Sequence, residues 1–246
     1  MKDFIYGKNP VVEAMEAGHE INKMLVLEGS KDRNLQKVVE MAKQRKIMLQ
    51  FVERKMLDKI VEGENHQGVI AYVSPYEYYE VEDILKIASD KGEPAFLIIC
   101  DEITDPHNLG SIIRTANAVG VHGVIIPKRR SAAINQTVVK TSCGAVEYVP
   151  VARVTNITQT IKLLKEKGVW IVGTDMGAPL YYSSNLTGNI AIVIGNEGDG
   201  IGRLVKESCD FMISLPMMGQ VSSLNASVAA SVVMYEVVRQ RNISKK

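Results

Sequence analysis

The sequence predicts an α/β protein: a larger C-terminal domain built on a mostly parallel sheet, preceded by a small α/β unit. Three observations carry this. From residue 96 onward, short continuously apolar runs rich in Ile and Val alternate with longer segments of helical periodicity. That is the pattern of strands covered by helices on both faces. Before residue 75, strand-like and helix-like segments also alternate, but more weakly. Between the two, Ser74-Pro75-Tyr76-Glu77-Tyr78-Tyr79-Glu80 is polar, aromatic and acidic without a clear period, and reads as a linker. The expected organisation is 1–74 as a first domain, 75–92 as linker and 93–246 as the larger domain.

In the first domain, Asn9-Pro10 is expected to open a helix, with Asn9 as cap and Pro10 in the first turn. Residues 23–27 read as a strand, 35–46 as an amphipathic helix with apolar positions three and four apart, and 48–52 and 69–73 as strands. A short helix over 81–88 would end before Gly92 and Pro94. In the larger domain, 96–100, 123–126, 170–174, 190–194 and 211–215 are strands, and 109–119, 157–167 and 224–240 are helices. Asp105 suits an N-cap with Pro106 at the first helical position. Ser222 or Ser223 is expected to cap the last helix. Ligands of such sheets sit beyond the carboxyl ends of the strands, where Thr174, Gly195 and Leu215 fall.

Composition excludes several classes. The 246 residues suffice for one large domain, or a small and a medium one. No apolar run approaches the roughly 20 residues of a membrane-spanning helix, and Met-Lys-Asp with no following apolar stretch is unlike a secretory signal; no membrane partner is expected. Cys100, Cys143 and Cys209 are odd in number and far apart, which suggests reduced thiols in the cytoplasm rather than disulfides or zinc. His19, His66, His107 and His122 show no ligand spacing with them, so no metal is expected. The net charge is only +1, yet Lys31, Arg33, Lys37, Lys43, Arg45, Lys46, Arg54, Lys55 and Lys59 crowd one stretch, and Lys128-Arg129-Arg130 forms a second cluster. Taken alone, such clusters are most often solvated helix faces.

Three segments carry the chemistry. Asn108-Leu109-Gly110-Ser111-Ile112-Ile113-Arg114 follows the first strand of the larger domain. Gly195-Asn196-Glu197-Gly198-Asp199-Gly200 follows the run 190–194. Leu215-Pro216-Met217-Met218-Gly219-Gln220-Val221-Ser222-Ser223-Leu224-Asn225 joins the last strand to an apolar helix. Each alone has a plain structural reading: a solvated Arg, a Gly-rich turn, a surface loop. A dinucleotide-binding reading of the glycines fails. They lie near the end of the chain rather than in a first βα turn, and no acidic residue ends a further strand about 20 positions on.

Together, in this order, the three segments resemble the motifs of the SpoU (TrmH-type) class of SPOUT methyltransferases, which move a methyl group from S-adenosylmethionine to a ribose 2′-hydroxyl of RNA. Tyr6-Gly7-Lys8-Asn9-Pro10-Val11 and His66-Gln67-Gly68-Val69 are similar to segments of that family's substrate-binding domain, so the likeness spans nearly the whole chain. Within the family it is greatest to bacterial enzymes acting on a guanosine of 23S ribosomal RNA. The resemblance implies an N-terminal RNA-binding domain of L30e-like fold and a C-terminal SPOUT domain with a trefoil knot, an exception to the rule that chains are not knotted. It implies a homodimer whose active sites are completed at the interface. The last helix, with Val228, Val232, Val233, Tyr235 and Val237, would supply that surface or serve as core.

S-adenosyl-L-methionine is the implied cofactor, held by Thr174, Gly195, Asn196, Gly198, Leu215, Met217, Ser222 and Leu224, although Leu215 and Leu224 also suit a plain core. The implied catalytic set is Asn108, Arg114, Glu197, Ser223 and Asn225. Family proposals make the arginine a base. A guanidinium is effectively always protonated, so a grip on the target phosphate is the firmer role. Asn108 would orient Arg114 or the substrate. Glu197 is expected to pair with Arg114, within the chain or across a subunit boundary, rather than act as a base. The same motifs serve enzymes acting on transfer RNA and antibiotic-resistance methyltransferases, and a non-catalytic RNA-binding assembly factor is the reading from a different class.

Overall fold

Two separate sheets account for the alternating apolar runs. The computed structural model describes residues 4–73, 76–220 and 223–243, and the chain divides into two units, Met1–Glu77 and Tyr78–Lys246.

The first unit runs β1 (Phe4–Tyr6), α1 (Lys8–Glu16), β2 (Ile21–Leu27), α2 (Arg33–Gln44), β3 (Leu49–Val52), α3 (Arg54–Ile60) and β4 (Val69–Val73). Its sheet has the order β1-β4-β2-β3, with β2 and β3 parallel and the other pairs antiparallel. The expected amphipathic helix is α2, capped by Asp32, whose side chain accepts from the Asn34 and Leu35 N–H groups. Its apolar stripe, Leu35, Val38 and Ala42, is buried with Val11 and Met15 of α1 and with Met24 and Val26 of the sheet. Leu57 of α3 packs with Leu25, Val52 and Ile70.

The start of α1 corrects the expected cap. The N-cap is Gly7, at φ 92°, not Asn9. Such a φ suits a residue without Cβ. The Lys8 N–H donates to Gln67 Oε1 at 3.1 Å and the Gly7 N–H to Val69 O at 3.1 Å, so the two N-terminal motifs meet and satisfy the helix start from across the sheet.

The second unit runs α4 (Val81–Asp90), β5 (Phe96–Cys100), α5 (Pro106–Val119), β6 (Gly123–Pro127), α6 (Gln136–Thr141), β7 (Val151–Val154), α7 (Ile157–Glu166), β8 (Trp170–Thr174), β9 (Ile190–Ile194), α8 (Arg203–Ser208), β10 (Phe211–Ile213) and α9 (Ala226–Ile243). Six strands form one sheet in the order β10-β8-β9-β5-β6-β7, every neighbouring pair parallel. On one face Leu97, Ile99, Ala191 and Val193 pack with Val81, Ile84, Ile161 and Val205 of the helices. Against the other, α5 and α9 pack on each other and on β6 and β9. Each Ile or Val so buried contributes about 1.5–3 kcal/mol.

The stretch 75–92, expected as linker, holds α4, whose Val81, Ile84 and Ala88 are buried in this core. The fit is close: a Cβ on Gly123 would stand 2.6 Å from Ile84 side-chain atoms. Just before α4, the Tyr79 N–H donates to Val151 O at 2.9 Å and Tyr78 Oη accepts the Ile134 N–H at 2.8 Å. The aromatics that looked linker-like dock this segment on the edge strand β7.

Candidate active site

The carboxyl ends of β8, β9 and β10 open into a cleft of about 180 Å³. Its tightest wall is Gly195, the residue after β9. A Cβ there would lie 2.1 Å from the carbonyl carbon of Gly200, because the loop folds back on its own start. The Asn196 N–H donates to Gly200 O and the Gly200 N–H to Asn196 O, both at 3.1 Å. Asn196 Oδ1 accepts from the Gly198 N–H at 2.8 Å and the Asp199 N–H at 2.7 Å, an Asx turn that makes the asparagine a template for its own loop. Just after β5, the buried Asp101 carboxylate accepts the Gly202 N–H at 2.8 Å. Burial pushes that carboxyl above its ordinary pKa, while the Gly202 bond works the other way.

Opposite this loop, Thr174 ends β8 and donates through Oγ1 to Val193 O at 3.1 Å. Asp175 and Met176 follow it into the lining, and Asp175 pairs with Lys206. Leu215 and Met217 come from the segment after β10, and Ser223 and Leu224 from the approach to α9. Leu224 is 38 % exposed, so it faces the cleft and is no core residue. Ala226, Ala229 and Val233 of α9 complete the lining.

Beside the cleft the three motifs are tied together. Asn108, buried in the first turn of α5, donates through Nδ2 to Glu197 Oε1 at 3.0 Å. Asn225 Nδ2 donates to Asn108 Oδ1 at 2.9 Å and also to Glu197 Oε1, and the Ala226 N–H reaches the same carboxylate oxygen at 3.3 Å. On its other side Asn225 caps α9: Oδ1 accepts the Ser227 N–H at 3.0 Å and the Val228 N–H at 3.3 Å. The expected Ser222 or Ser223 cap is thereby replaced by Asn225. A helix starting at Ala226 puts Asn225, rather than either serine, where a side-chain oxygen meets the second and third N–H groups. Upstream, Gly110 lets α5 lie against α6, since a Cβ would stand 2.7 Å from Thr141 Cβ.

Of the expected cofactor residues, Thr174, Gly195, Asn196, Gly198, Leu215, Met217 and Leu224 line the cleft; Ser222 lies outside the described residues. Glu197 and Ser223 also line it, and Asn108 and Asn225 bond to Glu197. Arg114 is not brought in. It is exposed on α5 and makes no hydrogen bond or ion pair among the described residues. The expected Glu197–Arg114 pair is therefore not formed within the chain; the donors to Glu197 Oε1 are Asn108, Asn225 and the Ala226 N–H. Sequence reasoning missed Asp175, Met176 and Asp199 in the lining and Asp101 beneath it. The strand-end rule that selected Thr174 also points to Asp175, one residue on. Among the described residues no group of His, Cys, Asp and Glu is placed to hold a metal, and no helix is long and apolar enough to cross a membrane.

A parallel α/β sheet with a cleft at its strand ends, narrowed by the Gly195 backbone and braced by an Asn–Glu–Asn network, is the ligand-binding site of an α/β enzyme. The comparisons make this specific. Residues 95–235 match the SpoU rRNA methylase family, and residues 4–79 match the RNA 2′-O ribose methyltransferase substrate-binding domain. A Bacillus subtilis protein, YacO, which carries a TrmH family tRNA/rRNA methyltransferase name, is 52% identical over 98% of this chain and 96% of its own. A Staphylococcus aureus protein with the same family name is 49% identical over 97% and 96%. Among solved structures, the SpoU methyltransferase AviRb from Streptomyces viridochromogenes, in complex with AdoMet, matches at a TM-score of 0.63 and 25% identity, over 98% of this chain and 90% of that one. An A. aeolicus TrmH/SpoU tRNA modifying enzyme matches at 0.56 and 28%, over 67% and 85%. The chain belongs to the SpoU family of RNA 2′-O-ribose methyltransferases.

Proposed function

We propose that this protein transfers a methyl group from S-adenosylmethionine to a ribose 2′-hydroxyl of ribosomal RNA, at a guanosine of 23S RNA, and that it acts in the cytoplasm as a homodimer with a knotted C-terminal domain. The observation that carries the reading is the joining of Asn108, Glu197 and Asn225, from three distant segments, beside the strand-end cleft. The cleft suits the cofactor. The sulfonium and the ammonium of S-adenosylmethionine are cations, and among the described residues Asp175, Glu197 and Asp199 are the only ionisable side chains in the lining. The close turn at Gly195 leaves backbone, not side chains, to meet the ligand.

When bound, the cofactor would supply an electrophilic methyl group and leave as S-adenosylhomocysteine, so the protein must position the hydroxyl and stabilise charge as the hydroxyl proton is lost to solvent. Arg114, through its guanidinium fork, grips the target phosphate and stabilises the developing alkoxide. It does so at the partner subunit's cleft, since it is free on its own α5. Asn108 and Asn225 hold Glu197 and fix the cleft wall, and Ser223 adds a hydroxyl to the lining. Half-exposed Val228 and Tyr235 on α9 (48 % and 57 %) support a subunit surface there, and the exposed Lys128, Arg129 and Arg130 at the end of β6 add positive charge at the strand-end side. The free thiols of Cys100, Cys143 and Cys209 fit a reducing compartment.

Architecture supports ribosomal over transfer RNA. The family's substrate-binding unit takes up residues 4–79 here, whereas the A. aeolicus tRNA modifying enzyme matches 67% of this chain. The test uses tritiated S-adenosylmethionine with unmodified 23S RNA and unmodified tRNA as separate acceptors. The expected result is label in the ribose of 23S RNA, lost with Arg114→Ala. Label in tRNA alone overturns the substrate, and a protein that does not bind the cofactor is a non-catalytic RNA-binding factor.

A further inference from the structure

We propose that the groove between α2 and the edge strand β3 of the first unit binds a single-stranded segment of the RNA, with one nucleobase stacked on Phe51. This rests on the reading of the protein as an RNA-modifying enzyme and names where a second part of the substrate is held.

β3 is the outermost strand of its sheet, and Phe51 pairs in register with Val26 of β2, whose side chain lies in the core under α2. Paired residues of parallel strands project to the same face, so the Phe51 ring stands beside α2, with no further strand outside it. It remains 52 % exposed. Between the ring and the helix lies a cavity of about 220 Å³, floored by Leu27, Leu35 and Val39 and rimmed by Gln36, Glu40 and Lys43. An exposed aromatic face over an apolar floor, with amide and carboxylate groups at the rim, suits a base: the π-face stacks and the edges find hydrogen bonds.

Charge selects the occupant. Residues 31–59 carry nine lysines and arginines against four carboxylates, in a chain of net charge +1. All nine cations are exposed. Of these nine only Arg54 forms an ion pair among the described residues, with Asp58 at 3.9 Å; the other eight are uncommitted. Lys43 stands at the groove rim, Arg33 and Lys37 are exposed on the same helix, and Arg45 and Lys46 follow its end. Cations left unpaired around an exposed ring fit a polyanion with unstacked bases, not an apolar protein surface.

The test places a reporter in the groove. In full-length protein carrying Trp170→Phe, Phe51→Trp becomes the sole indole and is titrated with a single-stranded oligoribonucleotide and with the matched duplex. The expected result is quenching by the single strand and little by the duplex. Phe51→Ala should weaken single-strand binding about tenfold, the size of one lost base–aromatic stack. Phe51→Tyr should restore it, and Lys43→Gln should lower the salt slope by about one phosphate contact. Cofactor affinity and melting temperature should be unchanged in all three. The proposal is overturned if the RNA does not bind, if it binds without quenching, or if Phe51→Ala binds as tightly as wild type. Quenching that follows protein concentration without RNA would make the groove a contact between copies of the chain. Failure of wild type to methylate any RNA sinks the assigned reaction instead, and the titration still judges the groove.

Discussion

Asn225, beside the cleft, does two jobs. Its Oδ1 caps α9, and its Nδ2 ties Glu197 to Asn108. Replacement by Ala removes a cap, worth about 1 kcal/mol, and leaves the buried Asn108 oxygen short of a donor, which costs about as much again or more. Asn225→Ala should therefore lower the unfolding free energy by roughly 2 kcal/mol in a urea titration and abolish methyl transfer. Asn225→Ser keeps a capping oxygen but lacks the Nδ2 donor and adds no charge, so it should recover the cap's share of that loss without restoring activity. Equal losses of stability in the two variants would refute the double role.

At the scale of elements, the strand ends are shaped by close approaches and by one buried imidazole. Gly195→Ala forces a Cβ into the Gly200 backbone at 2.1 Å, a clash that no side-chain rotation relieves. Calorimetric titration with S-adenosylmethionine should show cofactor binding lost while the circular dichroism spectrum is kept. His122 stands just before β6 and closes the start of β5. Its Nδ1 accepts the Phe96 N–H at 3.0 Å and its Nε2 meets Glu93 Oε2 at 3.1 Å, so Nδ1 carries no proton in the fold. Burial pushes the imidazole below its ordinary value of about 6.5, outweighing the Glu93 carboxylate, which acts to raise it. Lys91 and Arg241 add to the lowering. The unfolded chain then binds a proton that the folded chain refuses. Stability is full above about pH 6.5 and declines as pH falls from there toward the lowered folded value. Melting temperatures from pH 8 to pH 5 should show this decline, and His122→Asn, which keeps an acceptor for Phe96 but cannot titrate, should flatten it.

For the whole molecule, the exposed Arg114 and the Arg-free lining of its own cleft make a prediction about assembly. If the partner subunit's Arg114 completes each site, Arg114→Ala and Gly195→Ala chains, each inactive alone, should complement one another when co-expressed. Random pairing gives half heterodimers with one intact site of two, so about a quarter of wild-type activity is expected. No recovery, with heterodimers verified by mass, would place Arg114 and the cleft on the same chain.

What the sequence determined by itself follows from local chemistry. Continuous Ile/Val runs announce strands buried on both faces, Asp105-Pro106 starts α5, and strand ends mark the ligand side. Each is decided within a few residues. Short elements were illegible: β7 is four residues with Arg153 among them, and α6 and α8 have six residues each, too few for a period to show. The aromatic, acidic stretch at 76–80 hid its docking on β7, because hydrogen bonds to distant backbone leave no local pattern. The site divided in the same way. Thr174, Gly195 and Leu215 were readable from their place at strand ends. That Asn225 rather than a serine caps α9, that Glu197 bonds amides rather than Arg114, and that Asp175 and Asp199 share its cleft were decided only by the tertiary structure. Hydrogen bonds across 89 and 117 residues depend on where the sheet brings its strand ends together, and no local propensity encodes that.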